Sequence, residues 1–185
     1  MCDSMDFLRE CVGDKLILGC GVPLGPAFGK VDACRISCDV ALSYNSFVMD
    51  KIKPSNEVPS AQLAINNTLY RRHLDGRAFS NDPDVFFLRR RNLNFTKEQK
   101  LLLAKINNLC GNVLFVSDNA GDYTYTQTHM LKKTFTKTDA KVIDVECVNG
   151  RQAGDYNDKF IEDGEEKVLS FNLKTGKSNI LELMK

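Results

Sequence analysis

Short apolar runs at residues 15–19, 33–38, 78–80 and 113–117 are separated by segments of helical character, and this alternation constrains the fold more than any other feature. Strands taken in turn with helices make a parallel sheet or barrel, because parallel neighbours need a long crossover rather than a tight turn. Asp3 or Ser4 caps a helix through Cys11, with Gly13 as its stop. Residues 60–74 carry Leu63, Ile65, Leu69 and Tyr70 at roughly helical spacing and end at Gly76. Thr96-Lys97-Glu98-Gln99 is a capping box; behind it Leu102, Leu103, Ile106 and Leu109 share a face, and Gly111 is the expected left-handed stop. The alternation persists to about residue 133. Beyond it, a strand-like run at 142–148 and glycines at 150, 154, 164 and 176 delimit further short strands such as 168–171 and 180–183. That pattern predicts a small antiparallel β domain. The expected division is 1–137 and 138–185.

The run LGCGVPLGPAFG at 18–29 raises the question of a phosphate-binding loop after the first strand. A dinucleotide fingerprint needs G-x-G-x-x-G opening a helix. Gly19 and Gly21 fit, but the third position is Leu24, Pro23 and Pro26 remove two amides, and the chain runs on into a second strand. The loop serves another purpose.

Charge excludes some partners. With 25 basic and 24 acidic side chains, nothing global steers the protein to nucleic acid or an anionic membrane. The basic runs Tyr70-Arg71-Arg72-His73 and Arg89-Arg90-Arg91 are short and read as solvated helix ends or a barrel rim. Seven cysteines without C-x-x-C spacing read as reduced thiols, and two histidines far from any cysteine pair do not suggest a metal centre. No secretory h-region and no apolar run of spanning length is present, so a cytoplasmic location is expected and the sequons at Asn66 and Asn94 are read as chance.

Polar residues collect where the strands end: Cys20 after the first, Arg35 and Asp39 at the second, Asn81, Asp82 and Asp84 after the third, Ser117, Asp118 and Asn119 after the fourth. In a parallel barrel that end holds the ligand. Alternation places Arg35, Ser37 and Asp39 on one face of the second strand and Cys34, Ile36 and Cys38 on the other. Arginine with a carboxylate is either a site or an internal ion pair. Asp82-Pro83-Asp84 likewise has two readings: a D-x-D pair sharing a divalent cation, as in nucleotide-sugar glycosyltransferases, or a strand terminator with an aspartate-capped turn.

The segments FLRECVGDKLILGCGVPLGPAFGKVDACRISCDV, FSNDPDVFFLR and NVLFVSDN closely resemble melibiase-type alpha-galactosidases, glycoside hydrolases that cleave terminal alpha-linked galactose. The resemblance extends to about residue 125, and the tail looks like that family's C-terminal β domain. It implies an α/β fold: the C-terminal half of a (β/α)8 TIM barrel, about strands five to eight, followed by the small antiparallel domain. It implies that Asp39 in the R-x-x-x-D pattern is the general acid/base, that Arg35 and Cys20 contact the sugar, and that Asp82 and Asp84 line the site wall. The glycine-rich run becomes the loop that brings Cys20 and a close backbone to the sugar.

A retaining glycosidase needs two carboxyl groups about 5 Å apart, one to protonate the leaving oxygen and one to attack the anomeric carbon. The family's nucleophilic aspartate sits on the fourth strand in a motif like K-x-D-F, which this chain lacks, as it lacks tryptophan altogether. Asp32 and Asp118 receive no such role from the resemblance. The expected function is therefore a fragment of a retaining alpha-galactosidase acting on melibiose- or raffinose-type sugars, inactive by itself, without metal or organic cofactor. Its expected partners are a galactoside and either an upstream half-barrel polypeptide or a second copy, not nucleic acid or a membrane. A non-catalytic sugar-binding module and a metal-dependent glycosyltransferase using Asp82 and Asp84 remain the alternatives.

Overall fold

In the computed structural model, which describes residues 1–45, 59–136, 139–150 and 152–184, the alternation is present but its strands are short. Strand β1 (Leu18–Gly19) lies parallel to β2 (Ala33–Arg35), with Leu18 beside Ala33 and Gly19 beside Cys34. Strand β2 lies parallel to β3 (Ser80–Asp82), with Arg35 beside Asp82. A further strand, β4 (Val85–Phe86), pairs in parallel with β5 (Phe115–Val116).

The third strand was expected at 78–80 and is displaced, because Ala78 and Phe79 close a turn: the Ala78 amide donates to the Leu74 carbonyl and the Gly76 amide to that of Phe79. Strand β4 was not anticipated. Pro83 has no amide to give a ladder, and Asp84 takes the left-handed conformation at φ 72°, so the strand breaks there and resumes against a different neighbour. Amides of Asn112 and Val113 donate to the Asn81 carbonyl, which ties the lead into β5 back to β3. The strands thus form two parallel groups, β1-β2-β3 and β4-β5, tied together by the break at Pro83 and the bonds to the Asn81 carbonyl.

Helices flank these groups. Helix α1 (Cys2–Val12) stops at Gly13, whose φ of 62° only glycine adopts freely. The glycine-rich run contains a single helical turn, α2 (Leu24–Ala27), entered through Pro23. Ser60 caps α3 (Ala61–Arg71) by accepting the Leu63 amide at 3.1 Å, and a 3-10 turn, Arg72–Leu74, follows. Both bonds of the predicted capping box open α4 (Lys97–Cys110): Gln99 N–H to Thr96 Oγ1 at 3.1 Å and Thr96 N–H to Gln99 Oε1 at 2.8 Å. Its stop is not the expected left-handed glycine. Gly111 has φ −120°, and what requires glycine is close approach, since a Cβ there would lie 2.6 Å from the Pro83 ring. A second capping box, Thr124 with Gln127, opens α5 (Tyr125–Phe135). Thr96→Ala removes an N-cap acceptor and is expected to lower unfolding free energy by about 1 kcal/mol, read as a shift in the urea midpoint at unchanged slope.

An antiparallel sheet completes the chain: β6 (Lys141–Cys147), β7 (Asp155–Glu162) and β8 (Glu165–Asn172). Asp163 and Gly164, both at positive φ, make the two-residue turn between the last two strands. Residues 180–183, expected as a strand, form the short helix α6 (Ile180–Leu183). Asn179 turns the chain there, accepting the Ser170 amide at 3.0 Å and donating to the Val168 carbonyl at 2.9 Å. Ile180 is buried beneath it.

One apolar core joins helices and sheet: Ile65, Phe86, Leu102 and Ile106 pack in the same cluster as Phe160, Leu169 and Ile180. Hydrogen bonds cross the same boundary, from Tyr44 Oη to the Leu173 carbonyl at 3.0 Å and from Gln99 Nε2 to the Thr175 carbonyl at 2.8 Å. All seven cysteines are free thiols. Among the described residues no helix is long and apolar enough to cross a membrane.

Candidate functional site

Parallel pairing puts the C-terminal ends of β1, β2 and β3 side by side, and the side chains just beyond them converge. Arg35 is the hub. Its Nη2 lies 2.9 Å from Asp84 Oδ1, and its Nη1 donates to Asp39 Oδ1 four residues further along. One guanidinium therefore forks between two carboxylates that differ in exposure: the Asp39 side chain is 77% exposed, that of Asp84 only 6%. Burial works against the Arg35 charge, but Asp84, Cys20, Asp82 and Asp39 together outweigh it and raise the guanidinium pKa. Cys20, exposed after β1, is near enough to act on Arg35 electrostatically.

Asp84 is fixed from both sides. Its second oxygen accepts the Val40 amide at 2.7 Å, and its own amide donates to Asp82 Oδ1 at 2.8 Å. Asp82 is buried, and burial pushes its pKa up; the Asp84 amide and Arg35 oppose that, while the Asp84 charge adds to it. Ser37 Oγ donates to the Pro83 carbonyl at 2.8 Å, pinning the β3–β4 break to the second strand. The turn reading of Asp82-Pro83-Asp84 thus describes its local geometry, since Asp82 accepts the amide two residues on. Among the described residues no group of three or more histidine, cysteine, aspartate or glutamate side chains is placed to hold a metal.

The structure therefore brings Arg35, Asp39, Asp82 and Asp84 into one cluster, and Cys20 follows Gly19, which pairs with Cys34 next to Arg35. The backbone allows the approach at Gly19, where a Cβ would stand 2.6 Å from Val22 Cγ1 and 3.3 Å from Cys34 Sγ. Asp32 and Asp118 stay out of it. Asp32 precedes β2, at the opposite end of the sheet, and pairs with Arg9 at 2.9 Å. Asp118 has a fully buried side chain that accepts the Leu88 amide at 2.5 Å, the Arg89 amide at 2.9 Å and the Tyr123 hydroxyl at 2.5 Å, and pairs with Arg89 Nη1 at 3.0 Å. It is a strut that anchors the end of β5. Sequence reasoning missed Ser37 as a tie and Asp118 as a strut, because neither pairing partner is close in sequence.

Parallel strands with outer helices, followed by an antiparallel sheet packed on the same core, make a mixed α/β fold that solved alpha-galactosidase structures share. The chain is similar to an alpha-galactosidase from Thermus thermophilus in complex with p-nitrophenyl alpha-D-galactopyranoside, at TM-score 0.69 and 24% identity over 89% of this chain and 32% of that one. It is also similar to that organism's alpha-galactosidase in complex with stachyose, at TM-score 0.67 and 24% identity over 74% of this chain and 30% of that one. At that identity the likeness is one of fold. The chain spans about a third of the length of these enzymes. No protein-family model matches it.

Proposed function

We propose that this chain is the acid/base part of a retaining alpha-galactosidase, the C-terminal half of its (β/α)8 barrel, with the antiparallel sheet as its terminal domain. The observation that carries the reading is the Arg35 fork: an exposed Asp39 carboxyl held by the same guanidinium that grips a buried Asp84. Asp39 is then the general acid/base, free on its solvent side to reach a glycosidic oxygen. Arg35 offers its remaining fixed donors to sugar hydroxyls, Cys20 contacts the sugar, and Asp82 and Asp84 form the wall. The likeness of fold to the Thermus enzymes supports a glycoside hydrolase origin. Melibiose- and raffinose-type galactosides are the proposed substrates. The glycosyltransferase alternative fares worse on this geometry, because Asp84 spends both oxygens on Arg35 and Val40, and Asp82 is buried with one oxygen taken by the Asp84 amide.

The test is calorimetry with galactose, and separately with manganese plus a nucleotide sugar. Galactose is expected to bind weakly, and Arg35→Lys to weaken it roughly tenfold, since lysine keeps the charge but loses the planar fork. Saturable binding of manganese and nucleotide sugar together overturns the hydrolase reading.

A further inference from the structure

A cleft opens where four elements meet: the second half of α4, the end of α5, the end of β7 and the short helix α6. It holds about 560 Å³ including its open mouth, within the range of small-ligand sites, about 300–1,000 Å³. None of Cys20, Arg35, Asp39, Asp82 and Asp84 lines it. Its floor is apolar, made by Leu101 and Ala104 of α4, Phe160 of β7 and Ile180 of α6, with the half-buried Leu183 and Met184 beside them.

The walls are tied to one another. Asn108 Nδ2 donates to the Thr134 carbonyl at 2.9 Å, joining α4 to α5. Lys105 Nζ reaches from α4 to Glu162 Oε1 of β7 at 2.7 Å and lies 4.8 Å from the centre of the Phe160 ring. Asn179 anchors the start of α6 to β8. A cleft tied in this way is formed before a ligand arrives, so little binding free energy is lost to ordering its walls.

The charges decide what fits. Glu162 is the only carboxylate among the lining residues, and two lysines already hold it, Lys105 and, at 3.1 Å, Lys167. Burial works to raise the Glu162 pKa, but those two ammonium groups outweigh it and hold the carboxyl below its usual range, so it stays ionised and paired. Lys133, near the end of α5, also lines the cleft; it is exposed and forms no ion pair among the described residues. Three ammonium groups that line the cleft or bond to its lining thus stand against one carboxylate. An apolar floor with an unpaired lysine beside it complements a molecule that has an apolar body and a negative end. A cation meets an excess of like charge there, and an uncharged molecule leaves Lys133 without a partner.

We propose that this cleft binds a small amphipathic carboxylate, with its apolar body on Leu101, Ala104, Phe160 and Ile180 and its carboxylate on Lys133. The site shares no residue with the Arg35 cluster and stands or falls independently of the glycosidase reading.

The probes are hexanoate, hexylammonium and 1-hexanol, which share one apolar body and differ in charge. Each is titrated into the whole chain at neutral pH, with amide NMR shifts as the readout. Hexanoate is expected to move the Lys105, Phe160 and Ile180 amides saturably and to bind about fivefold more tightly than 1-hexanol, the scale of one exposed ion pair. Hexylammonium is expected to bind most weakly. Because Lys133 is exposed, Lys133→Glu is expected to keep the parent's urea midpoint while reversing the order of hexanoate and hexylammonium. Equal binding of the three probes, an unchanged order in Lys133→Glu, or no saturable shift at these amides overturns the proposal. So does self-association of the chain that shifts the same amides without any probe, since the cleft is then a contact between copies.

Discussion

Between pH 4 and pH 8 the protein is expected to lose about 4 kcal/mol of unfolding free energy that an Asp158→Asn variant keeps. Asp158 lies on the inward face of β7 between Tyr156 and Phe160, with no solvent exposure, and among the described residues neither carboxylate oxygen accepts a hydrogen bond. Burial pushes its pKa from the ordinary 3.8 to about 7, with Arg72 and Lys105 too weakly placed to offset the cost and Asp144 adding to it. The Cys110 thiol on α4 is pushed up for the same reason. In the unfolded chain the Asp158 carboxyl loses its proton near 3.8; in the folded protein it keeps it until about 7. Across that window the folded state binds the extra proton, so stability is full below 3.8 and is lost as pH rises through 7. A difference of about three pKa units corresponds to about 4 kcal/mol. Asp32, Asp155 and Glu162 have depressed pKa values and act the other way, but only below about 4.5. Subtracting the variant's urea-derived profile from that of the parent isolates Asp158. Two profiles that run parallel from pH 4 to pH 8 show that the buried carboxyl has found a partner.

Asp158 also marks where the sequence stopped being readable. In Asp155-Tyr156-Asn157-Asp158-Lys159-Phe160 the buried members are Tyr156, Asp158 and Phe160, and an aspartate in the inward register hides the alternation that identifies a strand. Helices with side-chain caps were legible because the signal is local: Ser60 and Thr96 bond amides three residues on. Thr124 with Gln127 carried the same signature, but lies among polar residues with little apolar periodicity to draw attention. Isoleucine and leucines at 180–183 fit a strand or a helical turn equally, and the decision came from Asn179 bonding to β8, a contact no local pattern contains. At the site, Arg35 and Asp39 were legible as a pair on one face of the second strand as the sequence predicts it, although β2 itself ends at Arg35. That Asp84 is the second prong was not, since it depends on Pro83 breaking the strand and on the left-handed turn of Asp84 toward the arginine.

The largest effect is expected in catalysis. The chain alone should not turn over p-nitrophenyl alpha-galactoside, because among the described residues no second carboxylate stands free near Asp39: Asp84 is held by Arg35 and the Val40 amide, Asp82 is buried and accepts the Asp84 amide, Asp118 is spent on the Leu88 and Arg89 amides and the Tyr123 hydroxyl, and Asp32 lies at the far end of the sheet. A retaining mechanism needs an attacking carboxylate about 5 Å from the acid. Joined to the unmatched portion of the Thermus enzyme, the chain is expected to gain activity, and the Asp39→Asn variant then separates the two chemical roles. An amide cannot deliver a proton to the departing oxygen, so hydrolysis of melibiose, with its basic sugar leaving group, should fall by about 10²- to 10⁴-fold. Release of nitrophenolate, which leaves without help, should fall far less in the first chemical step, and a burst of nitrophenol ahead of slow turnover should appear as the glycosyl intermediate waits for a base. Equal losses for both substrates make Asp39 a structural partner of Arg35 and nothing more, and robust turnover by the unaided chain means that the nucleophile lies within these 185 residues.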